Sequence, residues 1–307
     1  MRAWLRNAAA VLALLIGFLG WSLMPSKLHV RAAGKFDVPH AEPPEGMSIA
    51  ALVSGETHAR AIFAYRGGGW SDVRSFPMGG ILVRHPGGSL LFDAGFGSRI
   101  DEHVAGMNFF TRSLATYSKG EPVAAQLKAA GIAPQSLKAV VLTHAHWDHV
   151  SGLEDFRGVP VWLPAAELEF IKTGGDATEL ARRLGKLNYV SYDFPDGAYL
   201  GFTRSRDVFG DGSVVIVPAP GHTPGSVITF LTLPGNIRYA LVGDLIWQKE
   251  GIDLPAERPW PMRLLVDEDP TQVRELILQM QQITRRFPSM VIVPAHDARV
   301  WSGLPKL

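Results

Sequence analysis

The sequence predicts a layered α/β domain preceded by an apolar helix near the N-terminus. Two observations lead to this prediction. From Met47 onward, short apolar runs typical of strands alternate with segments in which apolar residues recur at three- and four-residue spacing. Before Met47, an uncharged apolar run covers residues 8–24 and follows two basic residues, Arg2 and Arg6. The chain therefore divides into an N-terminal segment and a folded α/β region.

The apolar run predicts a signal peptide or a membrane anchor. Its length is at the short limit for a membrane span and just above the usual signal-peptide core. The basic flank favours a cytoplasmic N-terminus, and no good cleavage site follows Met24, so an anchor is favoured over a released form. We therefore predict a protein of the cell envelope, either anchored in the inner membrane or periplasmic. Residues 1–32 form the signal or anchor, 33–46 a Pro-rich linker and 47–307 the folded domain.

The elements of the folded region follow from apolar patterns and turn residues. A helix over residues 121–130 has Pro122 in its first turn and Gly131 just past its end, the positions that these residues favour. A later helix has Asp269 as its N-cap, Pro270 at its first position and one apolar stripe. Less regular helical patterns cover residues 165–172 and 177–187. The predicted strands are 81–83, 89–92, 139–142, 159–163, 214–217, 227–231, 239–242 and 290–293.

Composition excludes several classes of site. The chain has no cysteine, which rules out disulfides, thiolate catalysis and zinc held by sulfur. Its net charge of +1 gives no field that would attract nucleic acid. Any metal site must therefore use imidazole and carboxylate ligands, and we expect a small-molecule substrate and no nucleic acid. The oligomeric state stays open.

One short stretch carries the chemistry. His144, His146, Asp148 and His149 lie within six residues, directly after the predicted strand 139–142. A chain that leaves a strand enters a loop, where side chains can converge on one point. Ten histidines in the whole chain make this cluster an improbable accident. Imidazole suits zinc, and the carboxylate also makes iron or manganese possible.

Three further strands end at a potential ligand. Strand 214–217 leads to His222 in a Gly-His-Thr-Pro-Gly-Ser segment, strand 239–242 leads to Asp244, and strand 290–293 leads to His296. Each alone is weak evidence, because a lone buried histidine is more often a packed polar residue. Their repetition at strand ends favours one shared metal site.

Together these motifs resemble the metallo-β-lactamase superfamily, over residues from about 84 to 301. The resemblance implies a four-layer αβ/βα sandwich with two divalent metal ions, most simply Zn²⁺, at one edge. It assigns Asp93 to the support of the metal-binding loop, although a simple turn aspartate is an equal alternative. It gives one metal to three histidines, the other to two histidines and an aspartate, and a bridging role to Asp244. The implied sets are His144, His146 and His222 for the first metal, and Asp148, His149 and His296 for the second.

The implied activity is hydrolysis of small acyl compounds by a hydroxide that bridges the metals, with Asp148 and Asp244 as catalytic residues. The layout is closest to that of the quorum-quenching N-acyl homoserine lactonases. Trp247, however, stands where those lactonases have a tyrosine, and an indole cannot supply a proton near neutral pH. This argues against their usual arrangement for lactone hydrolysis. Alternatives are a thioesterase of the hydroxyacylglutathione hydrolase type, a phosphodiesterase, or a non-catalytic metal- or ligand-binding sensor.

An apolar substrate pocket is expected beside the metals. Four aromatic residues near the motifs are candidates for its walls: Trp147, Trp247, Phe109 and Phe110. Core packing or a surface lid is at least as good an explanation for the two phenylalanines.

Overall fold

Alternation of apolar side chains along the strands packs two β-sheets face to face. The computed structural model describes residues 2–29, 36–37, 39–109, 112 and 116–307. Seven strands form the first sheet and five the second, in the orders β4-β1-β2-β3-β5-β6-β7 and β12-β11-β10-β9-β8. The strands are β1 (Ser48–Arg60), β2 (Val73–Arg84), β3 (Leu90–Phe92), β4 (Tyr117–Lys119), β5 (Ala139–Val141), β6 (Pro160–Pro164), β7 (Asn188–Tyr192), β8 (Arg206–Asp207), β9 (Val214–Pro218), β10 (Val227–Leu233), β11 (Ile237–Gly243) and β12 (Val291–Pro294).

Besides the strands, the described residues form helices. They are α1 (Arg2–Leu23), α2 (Ala61–Ala64), α3 (Ile100–Ala105), α4 (Val123–Ala129), α5 (Trp147–Val150), α6 (Ala165–Thr173), α7 (Glu179–Arg183), α8 (Glu250–Asp253), α9 (Trp260–Val266), α10 (Pro270–Arg286) and α11 (Ala298–Trp301). Short 3₁₀ turns lie at Pro134–Ser136, Ser151–Phe156, Gly175–Thr178 and Pro234–Asn236.

Three apolar clusters separate the four layers. In β10, Val227 and Leu231 face the other sheet, whereas Ile228 and Phe230 face the opposite way and pack with α10. On the far side of the first sheet, Val140 packs with the helices that cover it. The resulting order of layers is helices, sheet, sheet, helices. This confirms the predicted αβ/βα sandwich.

The helix α10 is the element that the sequence predicted best. The Asp269 carboxylate accepts hydrogen bonds from the backbone N–H groups of Thr271 and Gln272, and Pro270 is the first helical residue. The predicted apolar stripe is buried against the second sheet. The predicted strands are present as well, with ends displaced by one or two residues, except that the strand predicted over 81–83 is the last part of the much longer β2.

Two regions differ from the prediction. The long strand β1 and most of β2 were not predicted, because β1 mixes Ala, Gly, Thr and His and contains a bulge between Val53 and Gly55. The helix predicted over 177–187 is shorter: a 3₁₀ turn precedes it and α7 ends at Arg183. Gly185, at φ +78°, turns the chain toward β7, which occupies residues predicted as neither helix nor strand.

Strand direction brings the predicted ligands together. Strand β5 runs parallel to β3, and β12 runs parallel to β11, so each pair ends at a common edge of its sheet. Asp93 and His144 follow the first pair, and Asp244 and His296 follow the second. His222 follows β9 in the same second sheet.

The N-terminal helix α1 stands largely outside these layers. It contains the only segment of the described chain that is long and apolar enough to span a membrane, Trp4–Leu23, and 6% of that segment is buried. The predicted linker, residues 33–46, is described except for residues 33–35 and 38. In its described part Phe36 packs against the outer apolar cluster, and Glu42 donates its backbone N–H to the Asp211 carbonyl, so this stretch lies along the domain.

Candidate metal centre

Tight turns hold the ligand-bearing loops against each other. Asp93 has a positive φ of 59°, which is rare for a residue with a side chain. Gly221, just before His222, has φ +137°, and a Cβ there would lie 2.8 Å from the Val273 backbone nitrogen. Only glycine fits that turn, and it seats the loop on the N-terminal end of α10.

One group of histidines converges on a single point. His146 Nδ1 lies 3.1 Å from His144 Nε2 and 2.9 Å from His222 Nε2. Two of these residues are buried and His146 is half-buried. Three imidazole nitrogens that face one another in this way could hold one metal ion.

A second group lies beside the first. His149 Nε2 is 3.7 Å from Asp148 Oδ2, which in turn is 3.3 Å from His296 Nε2. Asp244 lies between the two groups. Its Oδ2 faces His222 Nε2 at 3.5 Å, and its Oδ1 faces His296 Nε2 at 3.0 Å and His149 Nε2 at 3.4 Å. One carboxylate thus points a different oxygen at each group.

These separations fit metal coordination. Ligand atoms bound to a tetrahedral zinc at 2.0–2.1 Å lie roughly 3.4 Å from one another. Two of the atoms that face each other, His149 Nε2 and Asp244 Oδ1, are buried and make no hydrogen bond. A buried polar atom without a partner is costly in free energy. The ligand set therefore fits a pair of divalent cations, which would satisfy both atoms.

Burial keeps two histidines of the first group, His144 and His146, neutral. It lowers the pKa of His144 well below its usual value and lowers that of His146 to about 3. Burial works against charge on Asp244 too, but the neighbouring His296 and His149 outweigh it and lower the pKa of Asp244 well below its usual range. Neutral imidazole beside an ionised carboxylate is the state in which these groups bind a metal.

Hydrogen bonds to the ring nitrogens that face away from the centre fix the orientation of three histidine rings. Asp93 accepts from His149 Nδ1 at 2.8 Å, and from the Thr143 backbone N–H and hydroxyl, each at 2.8 Å. His222 Nδ1 donates to Asp267 at 3.0 Å, and His296 Nδ1 donates to the Pro77 carbonyl at 3.0 Å. Each contact directs the opposite ring nitrogen toward the centre. Asp93 therefore connects the His149 ring to the start of the loop that carries His144.

Comparison with known proteins identifies the family of this chain. A family model described as Metallo-beta-lactamase superfamily matches residues 81–296. The chain belongs to this superfamily. It shares 29% identity over 230 residues with a probable metallo-hydrolase of Mycobacterium tuberculosis, covering 71% of this chain and 73% of that protein. It shares 25% identity over 243 residues with the N-acyl homoserine lactonase AttM of Rhizobium radiobacter, covering 75% and 85%. The protein is a metal-dependent hydrolase.

Solved structures of the superfamily show the same fold. One is an N-acyl homoserine lactone hydrolase with the product N-hexanoyl-L-homoserine bound at its catalytic metal centre. It has a TM-score of 0.66 at 17% identity and covers 85% of this chain and 96% of its own. Another is AidC, a dizinc quorum-quenching lactonase, with a TM-score of 0.55 at 15% identity and coverage of 89% and 92%.

Three residues that support this metallo-β-lactamase site were missed by sequence analysis. Glu167 in α6 is fully buried, and its carboxylate accepts from the Ala145 backbone N–H at 2.6 Å, the Thr223 hydroxyl at 2.7 Å and the Gly225 N–H at 3.0 Å. It thus joins the two histidine loops. Asp267 and Arg258 form a buried ion pair at 2.9 Å behind His222. No signal in the sequence marked these residues, because a charged residue in a helix or acidic stretch usually faces solvent.

The aromatic residues that were predicted to line a pocket lie in different environments. Trp247 donates its indole N–H to Asp244 Oδ2 at 2.8 Å, and Trp147 stacks on Phe96 with ring centroids 5.4 Å apart. Phe109 is 78% exposed, which places it at the protein surface. Phe110 lies outside the described residues. Trp247 therefore contacts the predicted ligand Asp244 directly, whereas Trp147 packs against the apolar core.

Proposed function

We propose that the protein is a dinuclear metal-dependent hydrolase of small acyl compounds, lactones or esters. One observation carries the proposal: the Asp244 carboxylate points one oxygen at His222 and the other at His149 and His296. A bridging carboxylate between two ligand groups suits a two-metal site. Similarity to the AttM lactonases supports acyl substrates.

The ligands divide between two ions. His144, His146 and His222 would hold one ion, and Asp148, His149 and His296 the other, with Asp244 shared. Zinc suits these imidazole and carboxylate donors best, and iron or manganese is compatible with them. When bound, two such ions polarise the substrate carbonyl and lower the pKa of a shared water toward neutrality, which supplies the nucleophile.

Two carboxylates of the chain, those of Asp148 and Asp244, take part in this chemistry. Burial raises the pKa of Asp148, but His149 and His296 outweigh burial and lower the pKa below its usual value, so this carboxylate is ionised and can accept a hydrogen bond from the nucleophile. Asp244 is restrained by the Trp247 indole N–H. In this proposal Asp148 and Asp244 are the catalytic carboxylates, and Trp247 holds one of them in place.

The N-terminal segment is proposed to anchor the enzyme in a membrane. Its span of 20 residues would be about 30 Å long as a helix, which matches the apolar core of a bilayer. The proposed division is anchor 1–32, connecting segment 33–46 and hydrolase domain 47–307, with the domain on the outer side of the inner membrane. Fractionation with intact-mass measurement tests this: a membrane-bound form that retains the segment supports it, and a soluble cytoplasmic full-length form contradicts it.

A metal assay and a substrate screen test the hydrolase proposal. Elemental analysis of full-length protein purified without chelator should give close to two metal ions per chain. The loaded protein should then hydrolyse lactones or esters faster than thioesters, phosphodiesters or β-lactams. Preference for a thioester or phosphodiester would replace the proposed substrate class. Full metal content without any hydrolysis would favour a sensor, and one ion or fewer after reloading would contradict the dinuclear site.

A further inference from the structure

The short helix α9 leaves its apolar side chains outside the core. None of its seven residues is buried. Leu264 is 69% exposed, Leu265 47% and Trp260 39%. Adjacent exposed apolar residues of this size usually mark a surface that contacts another molecule or a membrane.

The neighbour of α9 is the last part of the helix α1. The backbone N–H of Trp260 donates to the Ser22 hydroxyl at 2.5 Å, and Ser22 is buried. The rings of Trp260 and Phe18 meet edge to face with centroids 5.1 Å apart. Next to Phe18 on α1, the Trp21 ring lies 4.6 Å from the Arg66 guanidinium, which donates to the Trp21 carbonyl at 2.9 Å. The position of α9 is therefore tied to the end of α1.

This attachment sets the depth of α9 relative to a bilayer. Phe18 precedes Leu23, the end of the apolar span, by five residues, which is about 7.5 Å along a helix. Amphipathic helices that lie in a membrane interface bury their apolar face about 5–10 Å deep, and tryptophan is enriched at that level. We propose that α9 is an interfacial helix whose residues Trp260, Leu264 and Leu265 enter the lipid beside α1. The inference rests on the proposed anchoring by α1.

Arginines next to α9 indicate the charge of the lipid that it contacts. Arg66, Arg263 and Arg274 cluster around one carboxylate, that of Glu257, with which Arg263 and Arg274 form ion pairs at 2.8 and 2.9 Å. The cluster therefore carries an excess of positive charge close to the end of α1. Arg274 is the most exposed of the three, with 45% of its side chain accessible, and a basic group at this level can bind an anionic headgroup. The partner is a bilayer that contains anionic lipid.

The same helix connects the membrane to the metal centre. Arg258 and Asp267 flank α9 and pair with each other. Asp267 accepts from His222 Nδ1, and Arg258 donates to the Asp244 backbone carbonyl. The lipid-contacting surface thus lies next to the side of the site formed by His222 and Asp244.

Spin labels can test whether α9 enters the lipid, because the chain has no cysteine of its own. Full-length Leu264→Cys and Leu265→Cys variants would carry a nitroxide label in phosphatidylcholine vesicles that contain phosphatidylglycerol. Ile237→Cys is the matched control: it is apolar and 51% exposed, and it lies at the opposite end of β11 from Asp244. The readout is label accessibility to oxygen, which concentrates in lipid, compared with a water-soluble nickel chelate.

Labels at 264 and 265 should be severalfold more accessible to oxygen than to nickel, and the label at 237 should show the reverse. Water-like values at all three positions in protein that floats with the vesicles would overturn the inference and leave the anchor intact. Protein that does not float would overturn both. Failure of the hydrolase proposal is distinguishable, because the accessibility measurement needs no catalytic activity.

Discussion

The buried carboxylate of Glu167 offers a sharp test of how the two histidine loops are held together. Its Oε1 accepts from the Ala145 backbone N–H, and its Oε2 accepts from the Thr223 hydroxyl and the Gly225 N–H. Ala145 lies between the ligands His144 and His146. The change Glu167→Gln preserves shape but replaces one acceptor oxygen with an NH₂ group.

The expected magnitude follows from these contacts. The glutamine carbonyl can serve one side only, so at least one buried N–H loses its acceptor and faces another donor, at a cost of about 1–3 kcal/mol. Burial raises the pKa of Glu167 to about 7, so the neutral amide recovers part of the penalty for burying a charge. We therefore expect a net loss of about 1–2 kcal/mol in the free energy of unfolding. A loosened ligand loop should also weaken metal binding by about 10- to 100-fold.

Thermal unfolding and chelator competition measure both effects. Glu169→Gln is the matched control, because Glu169 lies on the same helix with its side chain 62% exposed and forms an ion pair with Lys172 at the surface. Such exposed pairs contribute little to stability. Glu167→Gln should unfold roughly 3–6 °C below the wild type, with the control unchanged. If the two variants behave alike in both assays, Glu167 does not couple the loops.

Other perturbations address the ligands and their supports. Asp244→Ala should abolish hydrolysis and lower the bound metal below two ions per chain; normal rates with full metal content would remove Asp244 from the mechanism. Trp247→Phe removes a hydrogen bond to a ligand carboxylate and should weaken metal binding about tenfold by chelator titration, whereas a change in KM alone would make it a pocket wall. Asp267→Asn leaves Arg258 buried without its counter-charge and should destabilise the fold by about 3–5 kcal/mol in denaturant unfolding. Chelation of the metal should lower Tm by roughly ten degrees, and an unchanged Tm would contradict a tightly held site.

The ligand-bearing loops could be predicted because strand ends and ligand types are both visible in a sequence. His144 and its neighbours directly follow a run that only a buried strand explains, and His222 and His296 repeat that arrangement. Residues that support these loops from distant parts of the sequence could not be predicted in this way. Glu167 resembles any surface glutamate of an amphipathic helix until the structure brings Thr223 against it, 56 residues away in sequence. Its role depends on tertiary burial, which no local pattern encodes.

Dependence on tertiary contacts also explains why some strands and the environment of a predicted pocket residue were not foreseen. Strand β1 has 13 residues of mixed polarity, and its pairing with β2 and β4, rather than its composition, makes it a strand. The exposure of Phe109 could not be foreseen either, since an aromatic residue near a motif fits a pocket, a core or a surface equally well.

The contacts of Trp247 change what its replacement of a tyrosine means. Its indole N–H is donated to Asp244, and its ring lies 4.6 Å from the Arg258 guanidinium. The side chain therefore has no donor left for the leaving oxygen of a substrate. Arg258 is itself engaged with Asp267 and the Asp244 backbone. Among these groups, the proton that a leaving alcohol needs can come only by way of the nucleophile and the Asp148 carboxylate. Catalysis should accordingly depend on Asp148 more than on position 247, with Asp148→Asn lowering kcat far more than Trp247→Phe does when both variants are saturated with metal.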